Sequence, residues 1–376
     1  MAGIRSQKSL EIYSRAFFVF GGILMDNVYD YTTTEQQIQK LKSQLLTFEN
    51  EKLAAQILQT YGYYNIINGY RDPYIIREYG TKKYCPDVTF EQIFALFMLD
   101  HEIRDAVLLS MIDLEEHLRA VVADIIAEDF GSDYKKYLEK NNYRDRTVSN
   151  PRFRRNKILE GMQHTAESSH TQPIKYYREQ HGVIPPWILL KGINFGTLIN
   201  FIRFFKAKQR NKLIKILYAD AVNEENIDAY KDLLSDTLFT CLEYRNLAAH
   251  GGRIYNYIPT CNIRNFENSD YKKGLPQFVA SLSYIKYGQP YYRIKEAITR
   301  ALNTYCPKYP NDLDRLGNAI GFHIFEEQYV WVNKKTGKMH TNPHCSGSRD
   351  CIRIPYHDAL NQNYVSCKRC CSKQNK

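Results

Sequence analysis

Between Phe90 and Gly131 apolar residues return every three or four positions: Phe94, Phe97, Ile103, Val107, Met111, Leu114, Leu118, Val121 and Ile125, with one wider step. An α-helix gathers such a series on one face, and a helical region this long has to bury its stripe against other helices. Those helices can be found along the chain. Thr34 with Gln37 reads as a capping box ahead of Ile38, Leu41 and Leu45, so a helix should start near residue 34. Glu51–Tyr61 is helical in composition, Trp187–Phe205 behind Pro185-Pro186 reads as one buried helix, and Asn226–His250 holds another. No strand-rich run and no internal repeat precedes residue 325. The expected fold is all-α, a helical bundle.

The pattern divides the chain into an N-terminal extension or helix over 1–30, a helical region over 31–135, a basic connecting segment over 136–185, a second helical region over 186–325, and a small module over 326–376. In the connecting segment apolar periodicity fades, and Arg144, Arg146, Arg152, Arg154, Arg155 and Lys157 cluster around Pro151. In the last module Tyr329–Val332 reads as a strand and Lys334–Gly337 as a turn. At the other end, Lys8 and Arg15 precede the apolar run Ala16–Met25, which imitates a signal peptide, but no A-x-A cleavage site follows. The run reads as a packed helix, or as an extension ahead of a natural start at Met25. Either way the expected location is the cytoplasm.

No window approaches the ~20 apolar residues of a membrane span, so no membrane partner is expected. The 51 Lys and Arg against 41 Asp and Glu give +10, and 30 Tyr with 18 Phe supply many rings able to stack on bases. A polyanion such as RNA is the natural partner for that balance. Five of the nine cysteines fall close together at the C-terminus, which argues for a metal rather than a disulfide framework.

The segment Glu243–Arg253 sets Arg245, Asn246 and His250 in a stretch of small, helix-friendly residues that ends in Gly251-Gly252. Five residues apart on an ideal helix, Arg245 and His250 lie about 140° from each other. The two glycines should stop the helix, which puts His250 on a fraying last turn from which it can swing back toward Arg245. The chemistry that suits such a pair is attack of a ribose 2′-OH on its adjacent phosphate. His250 can move a proton at neutral pH, and Arg245 offers a permanent positive fork to the charge growing on phosphorus. No metal is needed. One histidine cannot serve both faces of an in-line displacement, so a homodimer, or two halves of a bundle, would supply the second set of groups. The structural alternative is a salt-bridged Arg245 and a His250 that caps the helix dipole.

The stretch Arg245-Asn246-Leu247-Ala248-Ala249-His250-Gly251-Gly252-Arg253-Ile254-Tyr255-Asn256 resembles the RN-x-x-AH-x-x-R-x-x-N signature of the Abi-like proteins of the HEPN superfamily. Three upstream segments agree in order. Gly62-Tyr63-Tyr64 with Gly69-Tyr70 is similar to GYYR-x-x-x-Y, with Asn65 at the Arg position. Asp113, Leu114, Glu115 and Arg119 resemble IE-x-x-x-R, and Asn194–Leu198 resembles FGTLS. Within that family the chain resembles the AbiF-like branch. The resemblance implies an all-helical ribonuclease of phage defence or a toxin–antitoxin pair, bound to a small non-coding RNA encoded beside it. It makes Arg245 and His250 the catalytic pair with Asn246 in support. Arg144, Arg146, Arg152, Arg154, Arg155, Lys157 and Arg253 are then candidate RNA contacts, with Tyr63 and Tyr64 as stacking rings. Glu115 and Arg119 read as an i,i+4 salt bridge.

His340 and Cys345 are followed, after twenty-one residues, by Cys367-Lys368-Arg369-Cys370-Cys371. Zinc wants four nitrogen or sulfur ligands, and a C-x2-C turn supplies two of them. His340, Cys345, Cys367 and Cys370 are the first choice for a structural zinc, with His344, Cys351 and Cys371 as substitutes. The stretch resembles a zinc-binding tail of pattern TGK-x-H-x-NP-x-CSG, then Y-x-x-C-x-x-C. A metal-independent endoribonuclease, a non-catalytic RNA-binding protein and a protein-binding scaffold all remain open at this point.

Overall fold

Apolar side chains at helical spacing make Phe90–Phe130 one continuous helix in the computed structural model. The described residues are 31–78, 81–264, 272–321, 329–340, 345, 351–355, 359 and 362–370. The extension over 1–30, including Met25, lies outside them. The protein is mostly helical, with a small sheet near its C-terminus. No helix among the described residues is long and apolar enough to cross a membrane.

The chain divides into two compact units, Met1–Asn68 with Asp72–Phe90, and Gly69–Arg71 with Glu91–Lys376. The first holds α1 (Thr34–Ser43) and α2 (Glu51–Tyr61). The helix start foreseen near residue 34 is there, but the capping box is Thr33 with Gln36, one residue earlier than expected. Thr33 has extended backbone and so can present its hydroxyl to the Gln36 amide. Ile38 and Leu41 turn inward from α1, Ala54 and Leu58 from α2. An antiparallel hairpin, β1 (Ile75–Glu78) and β2 (Thr81–Tyr84), completes the unit. It was not expected, because four-residue strands whose residues are mostly exposed leave no alternating apolar signal. Tyr63 is half-buried and Tyr64 exposed in this unit.

The second unit is built around α3 (Phe90–Phe130) from Glu91 onward. Ile93, Leu96, Ile103, Val107, Met111, Leu114, Leu118, Val122 and Ile125 form its buried face. Within the stretch read as a connection lies α4 (Arg155–Ser168), which buries Ile158, Leu159, Met162 and Ala166. These four are spaced for a helix but diluted by charge, so the periodicity looked lost. The helix expected over Trp187–Phe205 is broken. Pro186–Leu189 forms one turn, Ile193 is extended, and Asn194 then caps α5 (Phe195–Ile202) through the Thr197 amide. After α6 (Ala207–Tyr218) comes α7 (Ile227–Ala249), packed on α5, α6 and α8 (Leu275–Ser283). Tyr244 of α7 stacks on Phe278 of α8 with centroids 4.1 Å apart. α9 (Gln289–Tyr305) and α10 (Leu313–Ile320) both pack on α8.

The C-terminal residues form a four-stranded sheet in the order β5 (Ile352–Pro355), β3 (Tyr329–Asn333), β4 (Lys338–His340), β6 (Val365–Ser366). The β3–β4 hairpin turns where Lys334–Gly337 predicted, with the Asn333 side chain accepting from the Lys335 and Thr336 amides. Val330, Val332, Met339 and Ala359 make a small core under it.

Candidate active and metal sites

Helix α7 ends as its sequence dictates. His250 is the C-cap; the Gly251 amide donates to the Ala248 carbonyl and the Gly252 amide to that of Leu247 at 2.9 Å. This double closure needs a left-handed residue at Gly251, whose φ is +70°. It also needs no side chain at Gly252, where a Cβ would come within 2.2 Å of Leu247. His250 is therefore held at a fixed helix end. Its ring is exposed and makes no hydrogen bond or ion pair among the described residues. No hydrogen bond joins it to Arg245.

Arg245 lies on the last full turn, half-buried. Its guanidinium donates to the Asn246 side chain at 3.2 Å, and another nitrogen stands 3.9 Å from Glu115 of α3. Its Nε is buried with no hydrogen-bond partner. Glu115 is the hub of this corner: buried, it accepts from Arg119, which also donates to the Ile193 carbonyl at 2.9 Å. Burial pushes the Glu115 carboxyl above the usual carboxylate range, while Arg119 and Arg245 pull it back. The pair read as a surface i,i+4 salt bridge is thus an inward-facing link that carries Arg245 and ties α3 to the entry of α5.

The loop after α7 is fixed by a residue that sequence reading missed. Asp100 of α3 is fully buried and accepts from the Ile254 amide at 3.0 Å, the Tyr255 amide at 2.6 Å and the Tyr70 hydroxyl at 2.6 Å. Burial raises its pKa; hydrogen bonds from Tyr70 and the two amides, with Arg104 nearby, oppose the rise. Arg104, also buried, donates to the Gly251 carbonyl at 3.3 Å. The available signal was a charge pair at apolar-stripe positions, Asp100 and Arg104 among Leu96, Phe97, Ile103 and Val107. Arg253, expected on the RNA side, donates to the Gly69 carbonyl and lies 5.9 Å from the Tyr255 ring. It is anchored in the fold. Glu243 clamps the same loop further on, accepting from Tyr257, from the Thr260 amide and hydroxyl, and from the Cys261 amide.

The basic residues at 144–157 are spread over the turn before α4 and its first turn. Arg146, Arg152, Arg154 and Lys157 are exposed, and Lys157 pairs with Glu160 at 2.8 Å. Arg155 is drawn in, donating to the Tyr143 carbonyl at 3.1 Å and facing Asp145 at 3.3 Å. Arg144 is half-buried, its Nε donating to the Arg203 carbonyl at 3.0 Å.

In the C-terminal sheet, His340 ends β4, Cys367 follows β6 with its amide on the Met339 carbonyl at 2.9 Å, and Cys370 closes the turn beyond it. The ligand atoms of His340, Cys345, Cys367 and Cys370 all lie within 4.8 Å of one another. Cys345 Sγ and Cys367 Sγ are 3.9 Å apart, Cys370 Sγ and His340 Nδ1 3.6 Å. Tetrahedral zinc with Zn–S near 2.3 Å and Zn–N near 2.0 Å requires edges of ~3.8 and ~3.6 Å. The donor set and its spacing fit a metal. Cys351 is outside the group of four; His344 and Cys371 lie outside the described residues.

The family model described as Abi-like protein matches residues 56–256, a stretch that runs from α2 through the Arg245–His250 helix end to Asn256. Neither the curated proteins nor the solved structures yield a match.

Proposed function

Because the chain belongs to the Abi-like protein family, we propose that it is a phage-defence ribonuclease with a HEPN-type bundle, cutting RNA at the end of α7 and carrying a small non-coding RNA. The observation that carries the reading is an exposed His250 at a fixed helix end, on the turn that follows Arg245. In the proposed step a proton leaves the ribose 2′-OH, its oxygen bonds to phosphorus, and the P–O5′ bond breaks. The products are a 2′,3′-cyclic phosphate and a 5′-OH that has taken up a proton. Arg245 stabilises the charge on the phosphoryl oxygens and His250 transfers one of the two protons. A second copy of the chain would bring a second histidine for the other. Asn246 holds the Arg245 fork.

His340, Cys345, Cys367 and Cys370 are proposed to hold a structural zinc, since all four contribute and none is left over as an open position. The ion would stabilise the small sheet and take no part in cleavage. Arg146, Arg152, Arg154 and Lys157, exposed on one stretch, are the proposed RNA contacts, and exposed Tyr64 is a stacking candidate.

A second reading has an observation in its favour. No described residue orients the His250 ring, whereas a proton-transfer histidine is normally held by a third group. The helix end would then grip RNA without cutting it. The test is an RNA cleavage assay on the parent and on His250→Ala and Arg245→Ala, with end-group analysis of the products. Loss of cleavage by ~10² to 10⁴ in either variant, with cyclic-phosphate ends from the parent, supports the nuclease. RNA binding without cleavage by the parent moves the protein to the second reading.

A further inference from the structure

Four arginines interact electrostatically where the segment before α4 crosses the turn between α5 and α6. The Arg144 amide donates to the Phe204 carbonyl at 2.9 Å and its Nε to the Arg203 carbonyl, which lays residues 144–146 along that turn. Arg203, at the C-cap of α5, donates to Asn200 at 2.9 Å and lies 5.2 Å from the Phe239 ring. Arg210 stands on the first turn of α6. The Nε atoms of Arg203 and Arg210 are both buried and have no hydrogen-bond partner. No ion pair joins any of the four to a carboxylate among the described residues. Burial lowers the Arg144 pKa, and the charges of Arg210, Arg146 and Arg203 lower it further. Arg146 also lines a cavity of about 640 Å³ with Arg154, Arg155 and Lys157 and with two carboxylates, Asp145 facing Arg155 and Glu160 facing Lys157; it is large enough for a nucleotide unit.

Clustered guanidinium groups repel one another, and the protein gains little from holding them this way; Asp228 of α7, which interacts with Arg210, is itself fully exposed. Planar forks with unused N–H donors are suited to phosphate oxygens, which they bind in pairs. We infer that Arg144, Arg146, Arg203 and Arg210 form a phosphate-binding notch that leads into the adjoining cavity and takes closely spaced phosphate groups, those of an RNA strand. The identity of the strand rests on the RNA reading above; the notch itself does not. Neighbouring lysines do not compete for the role. Lys208 is paired with Asp129, Lys212 with Glu128, and Lys206 donates to the Asn141 carbonyl. Arg203 and Arg210 extend the basic run from 144–157 onto two other helices.

The test uses the full chain and two probes, a 20-nucleotide single-stranded RNA followed by fluorescence anisotropy over a salt series, and inorganic pyrophosphate followed by thermal shift. Each phosphate contact on a single strand adds about 0.7 to the slope of log K against log salt. Arg146→Gln with Arg210→Gln should therefore lower the slope by about 1.4. Exposed Lys191→Gln with Lys308→Gln, the same charge change elsewhere, should leave it, and Arg146→Lys with Arg210→Lys should restore most of it. If the double glutamine variant fails to fold, Arg146→Gln alone, at an exposed position, should give about half the change.

Pyrophosphate separates the sources. Stabilisation of the parent by pyrophosphate that the double variant loses, without RNA binding, keeps the notch, assigns it to free oligophosphate and removes the RNA reading. RNA binding whose slope is unchanged by the arginine substitutions, with no pyrophosphate shift, overturns the notch and leaves the RNA reading standing.

Discussion

The end of α7 and the C-terminal sheet solve opposite problems with the same kinds of residue. In the sheet, His340, Cys345, Cys367 and Cys370 turn their donor atoms toward one point, so each is defined by the other three. At the helix end, Arg245 and His250 are not bonded to each other, and each is placed by residues far away in sequence: Glu115 behind Arg245, and Asp100 and Arg104 behind the turn that follows His250. A converging set satisfies itself when an ion binds. A diverging set leaves charge and proton-transfer capacity facing outward for something that arrives later. On the reading proposed above, the difference separates a structural site from one that acts on a partner.

The largest effect should come from breaking the converging set. Zinc at a structural site of this type carries on the order of 10 kcal/mol of apparent binding free energy, which is folding free energy for a small module. Cys367→Ser with Cys370→Ser should lose about one zinc per chain, measured by elemental analysis of the reduced protein. Chelation should loosen the sheet while the far-ultraviolet signal of the helices stays. A parent chain that carries no zinc would remove the metal assignment. Loss of helical signal on chelation would show that the helices depend on the ion as well.

The middle effect belongs to the scaffold of the diverging set. Asp100→Asn leaves one acceptor oxygen where two amides and a hydroxyl now converge, and it sets an N–H donor against a donor. An unsatisfied buried group costs about 1–3 kcal/mol. A urea titration should register that loss, with zinc content unchanged, and the Ile254 and Tyr255 amides should exchange faster with solvent. Unaltered stability and exchange would mean that the loop is held without Asp100.

How legible each region was follows from the same contrast. The cysteine and histidine positions lie within about thirty residues and short strands join them, so spacing alone nearly fixes the geometry. The long helix was legible too, since periodicity over forty residues leaves one solution. What could not be read was contact over long sequence separation. Asp100 meets Ile254 across 154 residues, and Arg144 meets Arg203 across 59. The broken segment at Ile193 escaped because its apolar residues are buried on both sides of the break, so composition ran on while the backbone did not. The helix α4 escaped because four apolar residues among charges carry little periodic weight. Arg253 was read by sign alone: a cation beside the motif, it spends one of its donors on a backbone carbonyl 184 residues away.

The smallest effect tests how far the loop beyond the motif shares in that scaffold. Burial would raise the Glu243 carboxyl, but hydrogen bonds from the Thr260 hydroxyl and amide, the Cys261 amide and the Tyr257 hydroxyl outweigh it, and the net shift is downward. A carboxyl with a depressed folded pKa binds protons less readily than it does in the unfolded chain. Its contribution is therefore complete above the ordinary glutamate value and is lost as pH falls through the lower folded value. Glu243→Gln keeps the shape and one acceptor oxygen but not the charge. The parent should melt higher than Glu243→Gln at pH 7, and the gap should narrow only when the pH drops below the usual glutamate range. Other carboxylates titrate in both proteins and cancel in the difference. The sheet, which has no part in this clamp, should keep its zinc content in both. A gap that is constant from neutral to acid pH would show that Glu243 acts through packing rather than charge. The charged groups that fix the loop would then be Asp100, Arg104 and Arg253.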